Sequence, residues 1–352
     1  MIAILPGVSV ALVITWLSVF ISNWLGTAVL HSEKGSPISP ITIAIILGIA
    51  IGNTLGVSKK LAPGLDFCVK KLLRLGIILI GLKLALTDVQ KLNPLFLAGV
   101  PVVIASGLFF TYIIARRLGV SDGLALVTAA ATSICGVTAA VSVAPVVEAT
   151  DEELSYTVAN VTLYGLIGML FYPYLAHAIF GASSQSAGFF LGTSIHDTSQ
   201  VMGAALSYQQ VFGDKIAMET ATVTKLTRNV FLVVVVPILA YFHARRRNTA
   251  QRETKLSQLF PTFVLGFIAM VLLRTAGDKF WPSKTWTDGI WFATERVAIA
   301  CLGAALTSVG LTTQLARLRG LGLKPLYMGG IAATLVGGTG MLLAALIGHT
   351  AH

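Results

Sequence analysis

Charge is scarce in this sequence. Only 11% of its 352 residues are Asp, Glu, Lys or Arg, whereas 55% are hydrophobic. A soluble globular protein carries about 25% charged residues, so this composition excludes that class. The apolar segments are continuous runs of roughly 18 to 25 residues and do not alternate, which also excludes an antiparallel barrel. The sequence therefore predicts an all-α polytopic membrane protein that forms a single transmembrane domain over residues 1–352.

Cysteine and acidic residues are also few. Cys68, Cys135 and Cys301 are widely spaced and form no CxxC pair, so no disulfide framework and no metal knuckle is indicated. We expect no metal and no cofactor. The 25 basic residues exceed the 15 acidic ones and give a formal charge of +10. Basic residues retained on the cytoplasmic side account for this excess, so no nucleic-acid partner is expected.

The chain divides into about eleven predicted transmembrane helices. Arg245-Arg246-Arg247 is the strongest mark of the cytoplasmic side, because cytoplasmic loops are enriched in basic residues. Counting from it places Arg116 and Arg117 inside, the acidic cluster at 148–153 outside, the N-terminus inside and the C-terminus outside. The spans lie at roughly 8–30, 38–55, 69–87, 94–117, 121–148, 152–180, 185–208, 214–244, 258–275, 286–311 and 325–349.

Spans two to four resemble spans nine to eleven. In this count the two sets have opposite orientations, which predicts an inverted repeat with halves at about 38–180 and 185–349. A second similarity, between Thr132 to Cys135 and Thr193 to His196, joins spans of the same orientation and does not fit that count. The first similarity pairs Pro40 to Gly56 with Pro261 to Gly277, and Gly81 to Pro94 with Gly310 to Pro325.

The polar run from Gly192 to Gln200 is the centre of the predicted site. It lies at the midpoint of a span long enough to cross the ~30 Å hydrocarbon layer. Asp197 followed at the third position by Gln200 is typical of a helix start, so we expect two half-helices that meet at Ile195 and His196 at the midplane. Alternatively, Asp197 only caps its half-helix and His196 packs against a neighbour.

Two other spans carry polar residues at depth. In span five, Ser133 and Cys135 precede Gly136, which suits a helix end, although a continuous helix with small packing residues is the alternative. In span eight, we expect Lys225 or Arg228 to face a water-lined cavity, pair with Asp197 or receive an anion. The alternative is that both basic side chains extend to the outer interface.

These residues predict a binding site and no enzyme. Cys135, His196 and Asp197 are the residue types of a hydrolase, but no nucleophile-elbow motif accompanies them. The candidate substrate-binding residues are Ser133, Cys135, Gly136, Ser194, His196, Asp197, Thr198, Ser199, Gln200, Lys225, Arg228 and Asn229.

The sequence resembles a bacterial membrane family described as sulfate exporters, the YeiH-like proteins. The resemblance covers nearly the whole chain and implies a relation to cation/proton antiporters and anion symporters, whose fold has two inverted five-helix repeats and crossing broken helices. A five-plus-five division would pair span two with span seven, whereas the internal similarity pairs span two with span nine. The stretches that carry the resemblance are Leu73 to Leu82, Thr132 to Gly136, Ser194 to Val201 and Lys225 to Asn229.

The expected function is secondary active transport of a small anion, sulfate or a sulfonate as the resemblance implies, in the cytoplasmic membrane of a bacterium. The exporter direction also comes from the resemblance, with ions or protons as coupling partners. An anion channel and a cation/proton exchanger that uses His196 and Asp197 are the alternatives. The expected partners are the anion and the lipid bilayer, and a homodimer is an open possibility.

Overall fold

The computed structural model describes residues 3–29, 36, 38–83, 85–87, 92–247, 262–281, 289–314 and 323–350. Regular secondary structure in these ranges is entirely helical, which confirms the predicted all-α polytopic membrane fold. The helices are α1 (Leu5–Trp24), α2 (Pro40–Thr54), α3 (Ala62–Phe67), α4 (Leu73–Ile80), α5 (Pro94–Arg117), α6 (Asp122–Ser133), α7 (Val137–Val143), α8 (Asp151–Phe180), α9 (Ser184–Ser194), α10 (Thr198–Phe212), α11 (Lys215–Val230), α12 (Leu232–Arg247), α13 (Thr262–Phe280), α14 (Phe292–Thr312) and α15 (Leu323–Thr350).

Six helical segments among the described residues are long and apolar enough to cross a bilayer. Their composition supports a multi-pass membrane protein, because each helix satisfies its own backbone hydrogen bonds and needs no water inside the bilayer. The six are Leu5–Thr27, Pro94–Arg117, Asp151–Phe180, Lys215–His243, Gly289–Thr312 and Leu326–His349.

Local capping chemistry fixes several helix starts. The Thr150 hydroxyl accepts from the Glu153 N–H, and the Glu153 carboxylate accepts from the Thr150 N–H at 2.8 Å, so a full capping box opens α8. Ser39 caps α2 and Asn93 caps α5, and each is followed by proline at the first helical position.

The described residues form two compact units. The first unit comprises those within Met1–Leu92, Leu206–Asp214 and Thr262–Leu315. Glycines bring its helices into close contact: Gly81 lies against the carbonyl of Phe267, and Gly310 lies against the carbonyl of Ile45. Lys83 and Glu295 form an ion pair within the unit, with 2.5 Å between Nζ and Oε1.

The second unit comprises the described residues within Asn93–Ala205, Lys215–Pro261 and Ala316–His352. It contains all twelve candidate site residues. Both units combine segments from the two halves of the chain, and the repeat halves at 38–180 and 185–349 stay a prediction.

Span five doubles back on itself. We name the chain from Asp122 to Glu148 hairpin 1. Ser121, just before it, donates a hydrogen bond to the carboxylate of Glu153, just after it. At the same end, the His243 ring lies 3.8 Å from an Asp122 oxygen and 4.0 Å from a Glu148 oxygen. The two ends of hairpin 1 are therefore neighbours, and α6 and α7 enter and leave at the same end of the unit.

Span seven doubles back as well. We name the chain from Ser184 to Lys215 hairpin 2; its residues up to Ala205 and Lys215 belong to the second unit, and Leu206–Asp214 belong to the first. A side chain on Gly188 would overlap the carbonyl of Ala217, and one on Gly192 would lie 2.8 Å from the carbonyl of Ala221. Helices α9 and α11 therefore run side by side in the same direction, and the chain is back beside the start of α9 when α11 begins.

These hairpins correct the prediction that spans five and seven cross the membrane. Between them, α8 has 30 residues and runs about 45 Å, so the two hairpins enter the unit from opposite ends. The acidic cluster at 148–153 lies at the same end as Ser121, close after Arg116 and Arg117, and not at the opposite end as predicted. Apolar length reveals that a segment is buried, but it does not reveal whether the chain continues or reverses after a break.

Candidate functional site

The tip of hairpin 1 (tip 1, Ile134–Gly136) is a sharp interruption of the helix. Helix α6 ends at Ser133, and Ile134 leaves the helical region with φ −115° and ψ −85°. Gly136 has φ +66°, a left-handed value that side chains disfavour. A Cβ on Gly136 would also lie 3.0 Å from Asp197 Oδ2, so glycine is needed for both its conformation and the close approach of the two hairpins.

The tip of hairpin 2 (tip 2, Ile195–Asp197) begins a new helix with the predicted cap. Asp197 Oδ1 accepts hydrogen bonds from the Ser199 N–H at 2.9 Å and from the Ser199 hydroxyl at 2.6 Å. Gln200 Oε1 accepts from the Asp197 N–H at 3.2 Å. The predicted interruption of spans five and seven is therefore present in both, and the cap inferred from the spacing of Asp197 and Gln200 is confirmed.

Lys225 joins the two tips. Its side chain is fully buried, and Nζ donates to the carbonyls of Ile134 at 3.1 Å, Ile195 at 3.2 Å and His196. An ammonium group has three protons, so these contacts use all of its donors. The carbonyls lie where α6 and α9 have ended, and a helix end leaves such groups without partners of its own.

Arg228 performs the same task one turn further along α11. It is fully buried, and its Nε donates to the Ser133 carbonyl at 3.2 Å. Its Nη2 donates to the Thr132 carbonyl at 3.1 Å, and its Nη1 donates to the Gly192, Thr193 and Ile195 carbonyls at 2.7 to 3.1 Å. The planar guanidinium thus bridges the C-terminal ends of α6 and α9.

The two cations therefore hold the tips together. Cations at helix C-termini are stabilised by the partial negative charge of the free carbonyls. Their burial excludes the alternative in which Lys225 and Arg228 extend to the interface. Within the described part of the chain, neither cation forms an ion pair with Asp197.

His196 is 1% exposed, and its Nδ1 lies 3.2 Å from the carbonyl of Thr132. A carbonyl oxygen can only accept, so in the neutral ring Nδ1 carries the proton and Nε2 is left as an acceptor. The ring therefore links tip 2 to the end of α6.

The remaining predicted residues gather at the same place. Ser133 Oγ is buried without a hydrogen-bond partner in the described ranges, and Ser194 Oγ donates to the Gly337 carbonyl at 3.4 Å. Cys135 is 2% exposed. Asn229 Nδ2 donates to Thr198 Oγ1 at 3.1 Å. The site prediction thus selected residues that the fold does bring together.

Accessibility separates these residues into two groups. The cations, His196 and Gly136 are buried, whereas Asp197 and Thr198 are partly accessible. Thr138, at the start of α7, is exposed and was missed by the site prediction. Thr138 follows Gly136 by two residues, and its accessibility depends on the fold, which the sequence does not reveal.

Small residues on three long helices accommodate the tips. A Cβ on Gly107 of α5 would overlap the Ser133 side chain, and one on Gly340 of α15 would lie 2.8 Å from Ser194 Oγ. A Cβ on Gly165 of α8 would likewise overlap the side chain of Gln200. Among the residues that the structure describes, no cluster of three His, Cys, Asp or Glu side chains could hold a metal.

The fold and the site define a class: a helical, multi-pass membrane protein in which two helical hairpins meet at buried cations. The sequence profile of a family described as "Conserved hypothetical protein 698" matches residues 6–329, and the chain belongs to that family. Similar proteins include a UPF0324 membrane protein of Corynebacterium glutamicum, 33% identical over 86% of this chain and 83% of its own.

Two further relatives cover still more of the chain. A UPF0324 membrane protein of Bacillus anthracis is 30% identical over 97% of this chain and 96% of its own. The UPF0324 membrane protein TauZ of Paracoccus pantotrophus is 30% identical over 90% of this chain and 88% of its own. Their names support a membrane protein and leave the substrate open.

Proposed function

We propose that this protein is a secondary active transporter of a small anion, of the sulfate or sulfonate type that the resemblance to YeiH-like exporters implies. The bacterial cytoplasmic membrane, the outward direction, the coupling to ions or protons and the inside position of the N-terminus belong to the same proposal. The observation that carries it is the charge where the hairpin tips meet.

The charges there do not balance. Lys225 and Arg228 contribute two positive charges and Asp197 one negative charge, so with neutral His196 the formal sum is +1. Each helix end contributes roughly half an elementary charge, and the two C-terminal and two N-terminal ends at the tips approximately cancel. A buried charge without a counter-charge is unfavourable, and a bound anion would supply the missing negative charge.

The cations act on the anion through their field. Their donors are engaged by backbone carbonyls, so direct contacts with the anion fall to the accessible hydroxyls of Thr138 and Thr198, at the starts of the helices that follow the tips. The amide of Asn229 donates to Thr198 Oγ1, which orients that hydroxyl. Broken helices that meet near the midplane are a common means by which transporters hold a charged substrate.

Counterflow in proteoliposomes tests the proposal. Vesicles loaded with unlabelled sulfate or a small alkylsulfonate are diluted into a trace of the labelled anion. A carrier gives a transient, saturable accumulation of label, because exchange is faster than net efflux. A channel gives simple equilibration without overshoot, and that result would exclude a carrier.

Matched variants connect transport to the tips. Thr138→Val and Thr198→Val remove one hydroxyl each. Each is expected to raise the anion concentration at half-maximal uptake about tenfold, because a hydrogen bond to a charged group contributes about 1.5 kcal/mol or more. Ser106→Ala is the control, since that hydroxyl donates to the Val103 carbonyl of its own helix. Equal effects of all three variants would contradict a site at the tips.

A second candidate function is cation/proton exchange at Asp197. It is favoured by one observation: at the tips, Asp197 is partly accessible, whereas Lys225 and Arg228 are buried and hydrogen-bonded. A sodium-driven proton flux that needs no anion, and that Asp197→Asn abolishes, would support this function over anion transport.

A further inference from the structure

The second unit contains a cavity that none of the tip residues lines. It has a volume of about 300 Å³ and lies between α5, α6 and α12. Most of its wall is apolar and includes Leu108, Leu126 and Leu239. We name it the lateral cavity. Its size matches the lower end of the range for small-molecule sites.

The lateral cavity opens sideways from helices that cross the membrane. The side chains at its rim are exposed apolar groups: Phe109 is 59% exposed, Ile238 46% and Phe242 56%. Phe109 belongs to the Pro94–Arg117 span and the other two to the Lys215–His243 span. The opening therefore faces the acyl chains of the surrounding lipid.

One end of the lateral cavity is polar. Asp122 and His243 line it, and Tyr112 donates a hydrogen bond to Asp122 Oδ1 at 2.7 Å. The His243 side chain is 4% exposed, and its Nε2 has no hydrogen-bond partner in the part of the chain that the structure describes. A buried imidazole nitrogen of this kind is costly unless a ligand or water satisfies it.

The charges around this end favour a cationic head group. Asp122 and Glu148 are within 4.0 Å of the His243 ring, and Arg116 is 3.8 Å from Asp122, so the formal sum is −1 with neutral histidine. Arg117 is the last residue of α5 and Arg245 follows His243 by two residues; basic residues at the ends of membrane-spanning helices are typical of the lipid head-group level.

We propose that the lateral cavity binds a lipid-like amphiphile, with an alkyl chain between the apolar walls and an ammonium head group donating to Asp122 and His243. Leu126 and Ala129 of α6 line this cavity, so the bound molecule packs directly against hairpin 1. This site is independent of the proposed anion transport.

Native mass spectrometry of the detergent-purified full chain tests the site. The probes are phosphatidylethanolamine and phosphatidylglycerol with the same acyl chains. The parent protein is expected to retain the ethanolamine lipid at least about tenfold more strongly, the effect of one charge-assisted hydrogen bond. Equal retention, or preference for the glycerol lipid, would overturn the proposal.

Two variants locate the binding. Ala105→Phe places a ring at the rim of the cavity without touching its polar end, and Asp122→Asn removes the carboxylate charge. Both are expected to lower ethanolamine-lipid retention to the level of the glycerol lipid. Val102→Phe is the control, because Val102 is 51% exposed on the same helix and does not line the cavity. If Ala105→Phe retains as much lipid as Val102→Phe, the cavity is not the site.

A competition experiment separates a lipid from a free amine. Excess ethanolamine is added to the parent protein with its bound ethanolamine lipid. Continued retention of the lipid supports the amphiphile, because the alkyl chain then contributes to binding. Complete displacement by ethanolamine would overturn the role of the apolar walls. Melting temperatures of all variants confirm that each protein is folded.

Discussion

At the residue scale, the side chains of α11 have partners that the sequence does not reveal. The cap between Asp197 and Gln200 was predictable, because capping acts over three residues and leaves a spacing. The carbonyls that surround Lys225 and Arg228 come from distant segments, and a backbone carbonyl leaves no mark in a sequence. The prediction placed Lys225 or Arg228 inside the protein. Both are buried, and the prediction missed the carbonyls that they bind.

Replacing Arg228 by Lys is expected to destabilise the protein by about 3 kcal/mol or more, because an ammonium group has three protons and cannot satisfy the five carbonyls that the guanidinium contacts. The measurement is the thermal unfolding midpoint in detergent. Arg117→Lys, on the exposed end of α5, is the control and should leave the midpoint unchanged. An Arg228→Lys protein with the parent's midpoint would show that the bridging contacts add no stability. Because the same contacts hold the tips, Lys225→Gln should lower stability together with anion affinity.

Gly136→Ala is expected to lose more stability than Gly119→Ala. Both glycines have φ near +70°, which costs other residues about 1 to 2 kcal/mol. Nothing lies within 4 Å of a Cβ on Gly119, whereas one on Gly136 would meet Asp197 at 3.0 Å. The difference between the two thermal midpoints therefore measures the close contact of the tips, and identical losses would mean that the tips readily separate.

At the scale of elements, the breaks in spans five and seven were predictable and the reversals were not. Gly136 and the polar run at Asp197 mark the interruptions in the sequence. The direction of the chain after each interruption depends on packing: α9 lies along α11 because Gly188 and Gly192 allow close approach. No periodicity within the span itself encodes that contact.

Cysteine labelling with a membrane-impermeant reagent tests the reversals. In a background with Cys68, Cys135 and Cys301 replaced by Ala, Leu118→Cys and Asp151→Cys flank hairpin 1 and should react from one side of the membrane. Ala182→Cys and Ile216→Cys flank hairpin 2 and should both react from the other side. If 118 and 151 are labelled from different sides, hairpin 1 crosses the membrane and the assignment is wrong.

At the scale of the whole molecule, pairs of similar segments make similar contacts. In the first unit, the related glycines Gly81 and Gly310 each lie against a carbonyl of the related helices α13 and α2. In the second unit, Thr132 to Cys135 and Thr193 to His196 both lie at hairpin tips. The second similarity is therefore compatible with the fold, because two hairpins that enter from opposite ends of the unit have opposite orientations. The inverted repeat itself stays a prediction.

Replacing Asp197 by Asn is expected to strengthen the binding of a divalent anion, because the carboxylate repels the anion and the neutral amide does not. The amide oxygen can still accept the hydrogen bonds from Ser199 at the start of α10. The measurement is the half-saturation concentration of anion uptake for the parent and for Asp197→Asn at one pH. Equal values for the two proteins would leave Asp197 only its capping role.

The two hairpins affect the count of membrane crossings, and hence the side of the membrane to which each loop is assigned. A segment that returns to its own side adds residues to the chain without changing the sidedness of anything after it. Counting one such segment as a crossing inverts every later loop, and counting two restores the original assignment. An assignment made from apolar length alone therefore gives the same answer for both termini while inverting the chain from Glu148 to Ser184. Reporter fusions at the termini cannot detect this error, and a reporter between α7 and α9 can.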